Sequence, residues 1–82
     1  MNQGPIEIMI PKTSVAVSEG KLVEWLAGDN EQVAEGQPLY VLETDKVEIE
    51  VEAPVSGTFR TAGVPGTTYT VGTVIAWLWP SS

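Results

Sequence analysis

Residues 39–52 read Leu39-Tyr40-Val41-Leu42-Glu43-Thr44-Asp45-Lys46-Val47-Glu48-Ile49-Glu50-Val51-Glu52. An apolar run gives way to a polar stretch, and then Val47 to Glu52 alternate without a break. Period-two alternation marks a half-buried strand, and two such runs joined by a short polar stretch make a hairpin. With Asp45 and Lys46 as the central residues of a tight turn, Thr44 faces Val47, Glu43 faces Glu48, and Leu42 faces Ile49. That register puts Tyr40, Leu42, Ile49 and Val51 on one face, which supplies a consistent core side. It also sets Glu43 against Glu48, a like-charge pair that costs a few tenths to ~1 kcal/mol. A chain shaped for stability alone would avoid that pair.

Working outward, Gly and Pro divide the chain into short runs with little room for a long helix. Ile6 to Ile10 form a first apolar run closed by Pro11, and the polar stretch Lys12 to Glu19 reads as a loop. Leu22 to Leu26 form a second strand. Asp29-Asn30 supply the turn after it, because Asn tolerates positive φ. Gly36-Gln37-Pro38 lead into the Leu39–Leu42 strand, and Ala53-Pro54 end the one that follows the hairpin turn. Gly57 to Thr61 read as another strand, Gly63, Pro65 and Gly66 as a loop, and Val74 to Trp79 as the last strand after Tyr69-Thr70-Val71-Gly72. Glu19 to Gly28 are rich in helix formers, but the stretch is too short to be helical on propensity alone. Trp25, Trp77 and Trp79 alternate with smaller or aliphatic residues and read as core or edge packing.

A weak internal repeat links the two halves. Gly20 starts a strand, Gly36 follows 16 residues later, and Leu39–Leu42 close the first half; Gly57, Gly72 (15 residues on) and Ile75–Leu78 repeat the order. Two halves of about four strands each suggest a pseudo-symmetric sandwich or flattened barrel.

Composition narrows the chemistry. At 82 residues the chain makes one small domain, and 43% hydrophobic residues suffice for a compact core. Without cysteine or histidine it has no disulfide, no thiolate nucleophile and neither of the common zinc ligands. Carboxylates, hydroxyls, Lys12, Lys21, Lys46 and Arg60 are a poor kit for an enzyme. The net charge of −7 argues against nucleic acid, which needs clustered bases, and suits partners with basic surfaces. No run approaches the ~20 apolar residues of a membrane span, and no export signal is visible, so the expectation is a soluble protein with no membrane partner.

The hairpin tip is thus an exposed lysine among Glu43, Asp45, Glu48 and Glu50, and an exposed lysine in a turn is ordinary. Its neighbours are not. Glu43-Thr44-Asp45-Lys46-Val47-Glu48 resembles the attachment motif of the lipoyl domains of 2-oxo acid dehydrogenase complexes. The likeness runs over nearly the whole chain. Ile10-Pro11-Lys12, Glu19-Gly20 and Val23-Glu24-Trp25 look like the family's first strands. Asn30-Glu31-Gln32-Val33, then Gly36, Leu39 and Glu43, look like its Gly-Asp-x-Val turn and lead-in, with Asn30 for glycine and Glu31 for aspartate. Pro54, Gly57 and Gly72 fall where the family keeps turns. Biotin carriers use a related hairpin but flank the lysine with methionines, which this chain lacks.

The resemblance implies an all-β fold, a flattened eight-stranded barrel-sandwich hybrid of two four-stranded sheets with pseudo-twofold symmetry. It implies a lipoyl domain over residues 1–79, with 80–82 the start of a linker or a truncated end. Lipoic acid would be amide-linked to Lys46 by a lipoate-protein ligase or lipoyl transferase, which must take the proton from the ammonium before the amine can attack. The arm would swing between a thiamin-dependent 2-oxo acid decarboxylase, an acyltransferase core and dihydrolipoyl dehydrogenase, in the bacterial cytoplasm or the mitochondrial matrix. The domain itself would be a non-catalytic, monomeric part of an acyltransferase chain. The resemblance gives recognition to the loop Lys12 to Glu19, with Lys12, Ser14 and Glu19, and to Glu43, Thr44, Asp45, Val47 and Glu48; Glu50 and Glu52 serve either recognition or solubility. A biotin carrier and an unmodified protein-interaction module are the alternatives.

Overall fold

A computed structural model describes residues 4–12 and 17–81. They form eight strands: β1 (Ile6–Met9), β2 (Glu19–Trp25), β3 (Glu31–Val33), β4 (Pro38–Glu43), β5 (Glu48–Glu52), β6 (Gly57–Thr61), β7 (Thr68–Thr70) and β8 (Val74–Pro80). The strands pair antiparallel into two sheets, ordered β1-β8-β6-β3 and β5-β4-β2-β7. Advancing every label by four, cyclically, turns the first order into the second. The weak repeat of the sequence is therefore a pseudo-twofold of the fold. No ladder joins the two sheets among the described residues, so the molecule is a sandwich rather than a closed barrel.

The turns carry the same symmetry. Four turns, 28–31, 34–37, 64–67 and 70–73, are each closed by an amide of the last residue donating to the carbonyl of the first, at 3.0–3.2 Å. The third residue of each, Asn30, Gly36, Gly66 or Gly72, has positive φ, between 69° and 93°. Asn30 sits where its symmetry mate is Gly66, and its short polar side chain tolerates the left-handed conformation. Two of these turns also tie the sheets together at opposite corners. Gly36 donates to Ala53 O (2.8 Å) and Ala53 to Gln37 O (2.9 Å), and Gly72 donates to Ile10 O and Ile10 to Thr73 O (both 3.0 Å).

One layer of side chains fills the space between the sheets. Leu22, Leu39, Tyr40 and Leu42 enter from one sheet, Phe59, Ile75 and Leu78 from the other, and all are fully buried. Trp25 packs edge-on against Tyr40 and Phe59, with ring centroids 5.5 and 5.6 Å away, and its indole N–H donates to Gly63 O at 3.1 Å. Burial pushes the Tyr40 hydroxyl up to about 12.

The sequence expectations need four adjustments. β3 and β7, three residues each, were not separable from the turns beside them, because three residues carry no readable period. The stretch Glu19–Trp25 is a strand throughout, so Glu19 opens β2 instead of ending a loop. β8 runs through Pro80, which faces Gly57, and Ser81 N–H donates to Ser56 O at 3.0 Å, so the ordered sheet passes the boundary drawn at residue 79. Of the three tryptophans only Trp25 belongs with the core; Trp77 and Trp79 lie on the outer face of β8, Trp79 46% exposed.

Gly57 is buried in β6 where the chain passes closest to β8, and a Cβ there would collide with the Trp79 carbonyl oxygen. Backbone cannot yield as a side-chain tip can, so Gly57→Ala is expected to cost about 3 kcal/mol in urea unfolding. At the equivalent Gly20 the clash is with the end of the Leu42 side chain, and the loss should be smaller.

Two carboxylates hold the Gly28–Glu31 turn in place. Asp29 accepts from the Thr61 amide (2.9 Å) and from Arg60 Nε (3.1 Å), and Glu31 accepts from the Gly28 amide (2.7 Å) and from Gln37 Nε2 (3.0 Å). The Thr61 amide first and the Arg60 guanidinium second lower Asp29 below the usual carboxylate range. The Gly28 amide first and Gln37 second do the same for Glu31. A carboxylate whose folded value is depressed stabilises above its unfolded value, and that contribution is lost as pH falls through the folded value. Urea midpoints measured from pH 5 downward should therefore fall less steeply in the Asp29→Asn/Glu31→Gln double variant than in the wild type.

Candidate functional site

β4 and β5 pair in the register Leu42↔Ile49 and Glu43↔Glu48, and the turn between them carries Asp45 and Lys46 at its tip. The Thr44 amide donates to Val47 O at 2.8 Å. The Val47 amide donates to the Thr44 hydroxyl (3.3 Å) in place of the Thr44 carbonyl, and the Lys46 amide reaches the same oxygen at 3.4 Å. Asn30 is the one non-glycine residue with positive φ among those described, so this turn is not of the primed type that suits two-residue hairpins best. Side-chain bonds from Thr44 do the work that dihedral matching does elsewhere.

Leu42 is fully buried, so the rigid interior ends two residues before the turn begins. Glu43, Asp45, Lys46, Val47 and Glu48 are exposed and Thr44 is half-buried. The root of a lysine side chain is thereby fixed, with its amine open to solvent, one carboxylate beside it in sequence and two more paired across the strands behind it. Among the described residues no group of carboxylates is arranged to hold a metal ion. The arrangement offers one chemical handle, a nucleophilic nitrogen that another protein's active site can reach.

Beside the tip lies a cleft of about 560 Å³. Glu43, Thr44 and Asp45 form one wall, Glu19 and Lys21 of β2 the other, and Thr68 of β7 closes it. Lys21 stands directly across from Glu43 on one side and Thr68 on the other. The far ends of the sheets lie away from this cleft. Val71 N–H bonds Ser18 O at the lysine end, and β8 runs from there to Pro80 at the other.

The geometry has a known counterpart. The biotin/lipoyl family model, described as "Biotin-requiring enzyme", matches residues 6–78. The chain belongs to this biotin/lipoyl family. It is 39% identical over 64 residues to the dihydrolipoyllysine-residue acetyltransferase component of the pyruvate dehydrogenase complex of Rhizobium meliloti, covering 78% of this chain and 14% of that protein. It is 36% identical over 73 residues to the chloroplastic dihydrolipoyllysine-residue acetyltransferase component 4 of the pyruvate dehydrogenase complex of Arabidopsis thaliana, covering 88% of this chain and 15% of that one. The solution structure of the lipoyl domain of the 2-oxoglutarate dehydrogenase complex of Azotobacter vinelandii superposes with a TM-score of 0.79 at 26% identity. It covers 94% of this chain and 99% of that domain. The chain thus matches a whole lipoyl domain while spanning well under a fifth of these two curated relatives, which belong to 2-oxo acid dehydrogenase complexes.

The site expected from sequence assembles only in part. Glu19, Glu43, Thr44 and Asp45 line one cleft, and Val47 and Glu48 flank the tip. Lys12 follows β1 and is not among the described residues lining the cleft, and Ser14 lies outside the described residues. Ser18, from the loop Lys12 to Glu19 that the resemblance places beside the hairpin, also lines the cleft, whereas Lys21 and Thr68 were not anticipated. Lys21 could have been found by carrying the β2 alternation back past Leu22, while Thr68 comes from a strand too short to read.

The like charges of Glu43 and Glu48, directly opposite across the ladder, cost stability. Replacing Glu48 by Thr should raise the unfolding free energy by about 0.5 kcal/mol at low salt, and the gain should shrink in 1 M salt as the repulsion is screened.

Proposed function

We propose that this chain is a lipoyl carrier domain, that Lys46 is its attachment residue, and that its partners are the components of a 2-oxo acid dehydrogenase complex. The observation that carries the reading is the β4–β5 register, which presents Lys46 at the tip of a turn anchored two residues away by buried Leu42. The lysine is exposed and its side chain makes no hydrogen bond or ion pair among the described residues, so its nitrogen can enter an amide without dismantling the described fold.

A lipoyl amide supplies a dithiolane that takes up acyl groups and electrons when bound; that chemistry belongs to the group itself. The chain's own residues hold the tether. Thr44 and the Leu42–Ile49 pair fix its root, and the long lysine stem provides reach. Tethering keeps the arm at an effective concentration of order mM around whichever active site the domain visits. The cleft walls Glu19, Glu43 and Asp45, together with Glu48 and Val47, are the surface a ligase, a thiamin-dependent decarboxylase, an acyltransferase core or dihydrolipoyl dehydrogenase would meet first. Bacterial cytoplasm or mitochondrial matrix is the compartment that goes with this reading. Asp45 and Val47 flank the lysine where a biotin carrier has methionines, which favours lipoate over biotin.

Incubation with lipoate-protein ligase, ATP and lipoate should add the mass of one lipoyl group to the wild type and none to Lys46→Arg. An unmodified wild type, or an adduct that survives the substitution, overturns the assignment. Biotin-protein ligase under the same conditions should leave the wild type unchanged.

A further inference from the structure

We propose that Thr44 is a positioning residue for the modification of Lys46: its hydroxyl sets the direction in which the lysine leaves the turn, and the modifying enzyme does not read that hydroxyl. The proposal rests on Lys46 being the attachment residue.

A threonine hydroxyl has one proton to donate and two lone pairs to accept with. All three are engaged inside the turn. The proton goes to Val47 O (3.3 Å), and the lone pairs take the amides of Val47 (3.3 Å) and Lys46 (3.4 Å). Nothing is left with which to bond a partner. Thr44 is also half-buried, whereas Glu43 and Asp45 through Glu48 are all exposed, so a docking protein meets its neighbours before it. Among the described residues the same hydroxyl is the sole acceptor for the Lys46 and Val47 amides. Removing it frees the backbone on both sides of the lysine Cα.

The cost of that freedom should appear in the reaction and not in the fold. The turn lies past the last ladder pair, Glu43↔Glu48, and beyond the buried Leu42, so loosening it releases no core contact. A nucleophile that samples many directions spends less time in the attacking one, and small misplacements are expensive in rate. The exposed residues that bind the enzyme stay as they are. A positioning defect therefore lowers kcat and spares KM, while loss of a contact made equally in ground and transition states raises KM.

The test is steady-state ligation with lipoate ligase, ATP and lipoate, varying the concentration of the unmodified domain. Thr44→Val should lower kcat about tenfold with KM within about twofold of wild type. Thr44→Ser, which keeps the hydroxyl, and Thr44→Asn, whose side-chain oxygen can accept amides from the following residues, should restore most of the rate. Amide exchange at Lys46 and Val47 should quicken in Thr44→Val while the melting temperature moves by no more than about 3 °C. Thr44→Ala removes the same hydroxyl without valine's bulk and must behave as Thr44→Val does. A raised KM at unchanged kcat, wild-type kinetics in Thr44→Val, or failure of Ser and Asn to rescue overturns the proposal. A wild type that is not modified at all overturns the attachment reading instead.

Discussion

The contact between the two sheets through a single layer of side chains is the constraint on which the rest of this domain depends. Neither four-stranded sheet has a second layer to lean on, and each must cover its apolar face with the other. Leu22 and Leu42 meet Phe59, Ile75 and Leu78 across that layer, and Trp25 spans it by touching Tyr40 in its own sheet and Phe59 in the opposite one. The lysine at the tip inherits its fixed position from this packing. Leu42 cannot shift without opening the core, Glu43 is locked into the last ladder pair by Leu42 and Ile49, and the turn begins on the next residue. An isolated hairpin of this length would be marginal in water and would present a wandering amine.

How much of this could be read from the sequence depended on how local the signal was. The hairpin register was legible because Tyr40, Leu42, Ile49 and Val51 share a face in only one alignment, and a slip by one residue would turn them all to solvent. Asn30 was legible because few residues other than glycine accept its φ of 69°. β3 and β7 were not, since three residues beside a turn satisfy no periodicity, and they exist because longer strands on one flank supply their partners. Trp79 misled for another reason. Aromatic residues usually signal burial, yet on β8 the inward places at that end are taken by Leu78 and Ala76, which leaves Trp77 and Trp79 facing outward. The cleft beside Lys46 draws on β2, β4 and β7, and no linear pattern links Lys21 or Thr68 to Glu43. The Thr44 bonds were hidden in the same way: the residue type allows them, and only the backbone geometry shows that all three are made.

The two halves keep their inward positions and corner bonds in common, though Tyr40 of one is answered by Ala76 of the other, and they diverge on the outside. Leu39 O accepts the amides of Leu26 and Ala27, and Ile75 O accepts those of Ala62 and Gly63, so Leu39 and Ile75 hold equivalent places. Continuing along the two strands at the same offset sets Val41 against Trp77 and Glu43 against Trp79. The sheet that bears the lysine carries Glu48, Glu50 and Glu52 along its edge strand, where charge also blocks pairing with another chain. Its mate carries two tryptophans at the matching outward places. Burial makes the inward places of both halves apolar. Outward residues answer to solvent and partners, and those differ between the two faces.

That divergence bears on why a pseudo-symmetric scaffold has a lysine-bearing turn at one position only. At the offset that matches Leu39 to Ile75, the counterpart of Thr44 is Pro80, and the counterpart of β5 is β1. The place that corresponds to the lysine turn therefore lies between the end of β8 and the start of β1, two strands that are not consecutive in the chain. Both sites are built on the same kind of strand pair, β4 with β5 and β8 with β1, each with a register shift at the equivalent step, Pro38/Tyr40 in one and Ile8/Met9 opposite Val74 in the other. A tight turn is needed to aim a lysine, and the fold supplies a continuous chain for one at only one of its two equivalent positions. The pseudo-twofold then does the spatial work: it sets the start of β1 and the end of β8 at one end of the sandwich and the lysine-bearing β4–β5 turn at the other.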